Sequence, residues 1–238
     1  MKQNSARKSE GSPQKSAPLS RRARPAKAPL SVDAILLAAL DLMARDGLDG
    51  LSLRRVAAAL DTGPASLYVY VDNLDALLSL MLDRAFAKIV IPPASRGDWR
   101  ERLGAVLFSY LKVLTSMPGL GQLALTTVST GPNSLRLLEA ILALLREGGI
   151  DDDRAAWAVD ALPLQFAAIA AEQDAHRRHT TNIGSLADTL RDVPVETYPN
   201  IHALGEKLFE GNARQRVRWV IDMFINGVLN TPRTDSKK

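Results

Sequence analysis

The chain has no cysteine among its 238 residues. That absence excludes disulfides and thiolate metal sites, and it fits a reducing cytosol. Aromatic residues are scarce, at 5%. A core must therefore be built from Leu, Ala, Ile and Val, a mix that favours helices. No run approaches the ~20 uninterrupted apolar residues that span a bilayer, and no apolar stretch follows the N-terminal charges as a signal peptide requires. The expectation is a cytoplasmic protein with no membrane partner. Period-two alternation is never sustained long enough to suggest a sheet. Also missing are a nucleophile–His pairing, paired inward carboxylates and a phosphate-cradling glycine loop. These absences count against an all-α enzyme, so no catalytic residue, metal or cofactor is assigned.

What the chain does have is apolar mass and unevenly placed charge. Hydrophobic residues make up 46%, enough for a sizeable core, and the formal net charge is +4. Lys2, Arg7, Lys8, Lys15, Arg21, Arg22, Arg24 and Lys27 crowd the first thirty residues, opposed only by Glu10. Residues 1–30 are also rich in Ser, Pro and Ala and hold almost no large apolar residues, a composition that cannot repay the entropy of folding. They read as a disordered basic arm. Such an arm suits nucleic acid, tracking phosphates or entering a minor groove, and a solubilising tail is the plainer alternative. Residues 233–238 read as a disordered tail.

Helical periodicity begins at Ser31, a suitable N-cap, with Asp33 in the first turn. Ile35, Leu36, Ala39, Leu40, Leu42 and Met43 recur at helical spacing, and Gly47 ends the segment. Ser52 is placed to cap a second helix, Thr62 a third with Pro64 in its first turn, and Asn73 a fourth running to about Val90. The Pro92-Pro93 pair stops that helix and marks a seam. Beyond it helices are expected near 98–116, 119–128, 133–147, 151–178 and 212–230, with a shorter one near 200–209. The polar segment Gly184–Pro199 reads as a mobile connection.

The segment Leu53–Leu78, LRRVAAALDTGPASLYVYVDNLDALL, carries most of the functional information. It reads as two short helices around a turn at Asp61 and Thr62, held by burying Val56, Ala57 and Leu60 against the first helix and Leu67. Arg54, Arg55, Pro64, Ser66, Tyr68, Val69 and Tyr70 are left to project outward. Arg binds guanine bidentately, Ser and apolar groups touch base edges, and Tyr hydroxyls reach phosphates. On spacing alone, an ordinary antiparallel bundle with Tyr68 and Tyr70 sealing its edge fits equally well.

The run Leu51-Ser52-Leu53-Arg54-Arg55-Val56-Ala57, then Leu60, then Ser66-Leu67-Tyr68-Val69-Tyr70-Val71 and Asn73, resembles the N-terminal domain of the tetracycline-repressor (TetR) family. Weaker matches follow at Asp98-Trp99, Glu139, Glu147-x-Gly149 and Glu172-Gln173, so the resemblance covers most of residues 31–178. It implies an all-α fold: a three-helix helix-turn-helix DNA-binding domain over 31–78, then a helical ligand-binding and dimerisation domain over 79–232. It also implies roles. Arg54 falls where the founding member reads guanine. Pro64, Ala65 and Ser66 begin the recognition helix, and Tyr68 and Tyr70 fall at phosphate-contacting positions. Arg55, Thr62, Val69 and Asn73 complete the expected DNA-facing set. Three positions depart from the family pattern: Asp61 replaces the usual turn Gly, Asp72 stands where a basic residue is common, and Leu74 replaces a phosphate-binding Lys, the last two weakening the phosphate grip. The amide at the start of the fourth helix still suits a phosphate, and the basic arm would offset the lost cations.

For the second domain the resemblance implies a dimer through a four-helix bundle and an enclosed inducer pocket. The segment 154–171, RAAWAVDALPLQFAAIAA, is apolar nearly all round and must be buried on more than one side. The last helix lines up Val217, Val220, Ile221, Phe224, Ile225 and Val228. These two helices are the expected dimer interface, with internal core as the alternative. Leu125 and Leu164 stand where the founding member supplies metal-binding His residues, and only Glu172 is retained. One carboxylate is a poor magnesium site, so a metal–tetracycline inducer is not expected. A largely apolar pocket is expected from Met81, Phe86, Phe108, Met117, Leu120, Leu125, Trp157 and Phe166. Gln165 and Glu172 would be its polar anchors. His176 and His179, with Glu172 a turn earlier, read as an exposed helix end rather than a metal site.

The leading expectation is therefore a ligand-responsive regulator, a repressor that binds a palindromic double-stranded operator as a homodimer and is released by a small inducer. The alternatives are a ligand-binding or adaptor protein with weakened DNA binding, and an all-α enzyme.

Overall fold

The structure is a computed structural model and describes residues 29–179 and 183–232. Apart from Pro29 and Leu30, the expected basic arm lies outside the described residues, as does the 233–238 tail. Among the described residues the fold is all helical, with no strand.

Helix α1 (Val32–Asp46) starts where Ser31 Oγ accepts from the Ala34 amide at 3.2 Å, and it ends at Gly47, whose φ of 79° favours glycine. Helix α2 (Leu53–Ala59) is capped by Ser52, and α3 (Pro64–Leu67) follows. The expected Thr62 cap is corrected here: the N-cap of α3 is Gly63, with no side-chain cap, because Pro64 already occupies the first helical position. Helix α4 (Leu74–Phe86) is capped by Asn73 Oδ1, which accepts from Ala76 N at 2.8 Å. It stops short of the expected Val90. Arg136 draws the carbonyls of Phe86 and Ile89 to its guanidinium at 3.2 and 3.1 Å, closing the end as a tight turn.

The second group comprises α5 (Trp99–Leu114), α6 (Leu120–Thr126), α7 (Pro132–Glu147), α8 (Asp152–His179) and α11 (Ala213–Asn230). Helix α8 packs on α5, α6, α7 and α11. Leu103, Leu107, Ile141, Leu145, Leu162 and Phe166 meet in the resulting core. Helices α6 and α8 approach at Gly121, where a Cβ would stand 2.5 Å from the Ala171 amide nitrogen. Arg102, 7% exposed, reaches from α5 to Glu147 of α7, so this helix pair is also joined by charge.

The segment read as a mobile connection instead contains α9 (Ile183–Arg191). Its pattern Ile183, Leu186, Ala187 and Leu190 is helical, masked in the sequence by Gly184 and by polar neighbours. Arg191 then holds Glu206 at 2.7 Å, fixing α9 to the 3-10 turn Gly205–Phe209 that follows α10 (Pro199–Leu204).

Helix α4 joins the two groups. It packs on α1 on one side and on α5, α6 and α7 on the other, and it runs without a break through residues 78 and 79. Near its end Asp83, 7% exposed, accepts from Ser134 N at 2.9 Å, Asn133 Nδ2 at 2.8 Å and Ser134 Oγ at 3.1 Å. A carboxylate of α4 thus caps α7, whose own N-cap Gly131 has no side chain to do so. Gly131 is required for this: a Cβ there would sit 2.3 Å from Asp83 Cγ.

Candidate nucleic-acid interface and ligand cavities

The α2–turn–α3 unit is set by a few local choices. Ser52 Oγ accepts from Arg55 N at 3.3 Å and starts α2. After Leu60 the chain reverses through Asp61, whose φ of 50° lies in the left-handed region. Asp tolerates that conformation better than most residues with a Cβ, which explains how it replaces Gly in this turn. Thr62 N then donates to Ala57 O at 2.9 Å. Val56, Ala57, Leu67 and Val71 are buried, and Leu60 is half-buried.

The opposite side is open. Tyr68 is 56% exposed and Val69 80% exposed. Side chains that seal a core edge would not be so bare, so the plain-bundle alternative loses its main support. Pro64, Ala65 and Tyr70 are also exposed, while Thr62 and Ser66 are half-buried. Arg54 is exposed and has no bonded partner among the described residues. Arg55 differs from it. Its guanidinium is committed to the Asp46 carboxylate and to Gly50 O, at 2.5 Å, in the α1–α2 loop. The side chain of Asn73 is likewise occupied as the cap of α4. The two adjacent arginines, equivalent in sequence, therefore play different parts.

The expected ligand-lining set is spread over the core and two cavities. Met81, Phe86, Leu120 and Phe166 are buried in the core, where Phe86 meets the Tyr110 ring edge-on at 5.4 Å. Burial pushes the Tyr110 hydroxyl well above its ordinary pKa. Met117, Leu125 and Gln165 are half-buried, and Glu172 is exposed. Phe108 lines a cavity of about 700 Å³ between α5 and α11. Trp157 lines a separate groove of about 380 Å³ between α8 and α11. Helical spacing marks the inward face of each helix, which is why most of this set is buried or half-buried.

The larger cavity brings in residues that the sequence reading missed: Lys88, Arg96, Lys112, Arg214 and Arg218. The i, i+4 spacing of Arg214 and Arg218 at the start of the last helix is their one visible signal. His176 is exposed, and the side chain of His179 lies outside the described residues. Among the described residues no three His, Asp or Glu side chains are grouped to hold a metal, and no helix is long and apolar enough to cross a membrane.

Comparison with known proteins agrees with this arrangement. Residues 35–81 match the family model for bacterial regulatory proteins of the tetR family, and residues 91–231 match that for the tetracyclin repressor-like C-terminal domain. The chain is 39% identical over 134 residues to the HTH-type transcriptional repressor DrrR1 of Streptomyces coeruleorubidus, covering 54% of this chain and 49% of that protein. It is 36% identical over 120 residues to an HTH-type transcriptional regulator of Saccharopolyspora erythraea, covering 50% and 51%. The chain thus spans about half the length of the curated relatives it matches. Among solved structures, ActR of Streptomyces coelicolor in complex with actinorhodin is 32% identical, with a TM-score of 0.76 over 85% of this chain and 98% of that one.

Proposed function

The chain belongs to the tetracycline-repressor family of bacterial regulatory proteins, and on that premise we propose that it is a ligand-responsive transcriptional repressor acting on a palindromic operator as a homodimer. The observation that carries this reading is the outward face of α2 and α3, where an unpartnered Arg54 stands beside exposed Pro64, Ala65, Tyr68 and Val69. We assign residues 31–78 to DNA reading, with Arg54 on base edges, Pro64–Ser66 entering the major groove, and Tyr68 and Tyr70 on phosphates. Arg55 and Asn73 hold the unit in shape. Residues 79–232 form the effector and dimerisation part, and α4 belongs mechanically to both. ActR has been solved with (S)-DNPA and with actinorhodin, which supports a small-molecule effector for this chain too.

The test is a mobility shift with DNA from upstream of the protein's own gene. A dimer is expected to bind that DNA at least ~10³-fold more tightly than random sequence at physiological salt. Equal affinity for both would instead favour the adaptor reading.

Dimerisation is assigned to α8 and α11. Trp157, Leu164, Trp219 and Met223 on these helices are 57%, 53%, 66% and 44% exposed. A contiguous apolar surface of this kind marks an association face, and two identical copies cover it isologously. The inner sides of the same helices are already filled by Leu162, Phe166, Ile221 and Ile225. Met223→Glu puts a charge into the groove beside Trp157. Sedimentation velocity should then show a dimer dissociation constant raised by roughly 30-fold or more, with folding retained. An unchanged dimer would place the interface elsewhere.

A further inference from the structure

The cavity between α5 and α11 has an unusual wall. Lys88, Arg96, Lys112, Arg214 and Arg218 line it, and Glu101 is the sole carboxylate among its lining residues. Arg218 shares its charge with Asp222 at 3.3 Å. Lys88, Arg96, Lys112 and Arg214 have no side-chain acceptor among the described residues. These four cations are exposed at the mouth of one cleft, and a cleft lined by one sign of charge raises the local concentration of counter-ions. Apart from Ser109 and Ser116 the rest of the lining is apolar, Ala105, Phe108, Val113 and Ile221 among it, with Phe108 41% exposed.

We propose that this cavity binds a small organic anion, an apolar and preferably aromatic body carrying a carboxylate or sulfonate. The volume of about 700 Å³ matches a ligand of drug size, too large for a bare inorganic ion to fill. The apolar body packs on Phe108 and Val113, and the acidic group meets Lys112 and Arg214 in charge-assisted hydrogen bonds. Lys88 lies two residues beyond the end of α4, so an occupant that engages it ties the end of the connecting helix to α5 and α11. The site shares only Phe108 with the apolar set expected from the sequence. Its occupancy goes beyond the operator reading and does not depend on it.

The probe is 8-anilinonaphthalene-1-sulfonate, titrated into the full-length protein at low and at moderate salt. Saturable binding of one dye per chain is expected, weakening as salt rises. In Lys112→Gln/Arg214→Gln its dissociation constant should rise about tenfold or more, the loss of one or two charge-assisted contacts. Lys112→Arg/Arg214→Lys should bind like the parent, and neutral N-phenyl-1-naphthylamine should bind parent and variants alike. If the neutralised variant keeps the parent's affinity for the sulfonate, or both dyes are lost in parallel, the assignment is wrong. Should the double variant lose its thermal transition, Lys112→Gln alone, at an exposed position, decides by the same criteria. A mobility shift on each variant separates the two readings. Intact operator binding without dye selectivity sinks the anion site alone, and dye selectivity without operator binding sinks the DNA reading alone.

Discussion

Arg54→Ala is expected to abolish operator binding while leaving the fold untouched. A bidentate arginine–guanine contact discriminates by about 1–3 kcal/mol, and a symmetric dimer makes it twice. The combined loss of about 2–6 kcal/mol corresponds to roughly 30-fold to 10⁴-fold in affinity. Arg54 is exposed and bonds to nothing described, so its removal should change unfolding free energy by under ~0.5 kcal/mol. Arg55→Ala supplies the contrast. It releases Asp46 and Gly50 O, so its first effect is a lower melting temperature, and any loss of DNA binding follows from a loosened α1–α2 loop. Base reading also differs from phosphate gripping in its salt dependence. Arg54→Ala should mainly relax sequence preference, whereas Tyr68→Phe should weaken binding to all sequences by a similar factor. A mobility shift across salt concentrations and half-site variants distinguishes them. If Arg54→Ala binds like the parent, α2 does not read bases.

Much of this architecture is legible in the amino-acid sequence, for identifiable reasons. Ser31, Ser52 and Asn73 announce their helices because a capping side chain acts within three residues of itself, and all three accept the expected amide. The α2–α3 unit is legible because its burial pattern and turn are local, while the class of protein is legible only through the family resemblance that the run Leu51–Asn73 carries. What stays hidden is tertiary. Spacing alone does not distinguish Arg54 from Arg55, which only the resemblance separates, because Arg55 is held by Asp46, a residue of another helix. The end of α4 depends on Arg136 in the same way. The charged cavity depends on bringing Lys88 and Lys112 next to Arg214. Long-range contacts of this kind leave almost no trace in spacing.

Asp83→Ala is expected to cost the protein about 2–4 kcal/mol, because it removes the acceptor for Ser134 N, Ser134 Oγ and Asn133 Nδ2 in a place water scarcely reaches. For a chain of this size the melting temperature should fall by roughly 5–15 °C. Acid titration gives an independent signature. Burial alone would raise the carboxyl pKa, but the hydrogen bonds from Ser134 and Asn133 outweigh it and hold the group below 3.8. A folded-state pKa below the unfolded one means that the carboxylate's contribution is fully present above the unfolded value and is lost as pH falls through the folded one. The parent should therefore lose stability more steeply than Asp83→Asn below about pH 4, and the gap between them should narrow there. The same change loosens α4 from the start of α7, one of the contacts by which α4 links α1 to the C-terminal helices. Operator affinity should fall only modestly near room temperature and then drop steeply on warming, ahead of the parent. A variant that melts with the parent and keeps the same acid limb would show that α7 does not need the carboxylate. The brace between α4 and α7 would then have to come from Arg136 on the Phe86 and Ile89 carbonyls and from the apolar contacts of Met81, Leu82 and Phe86.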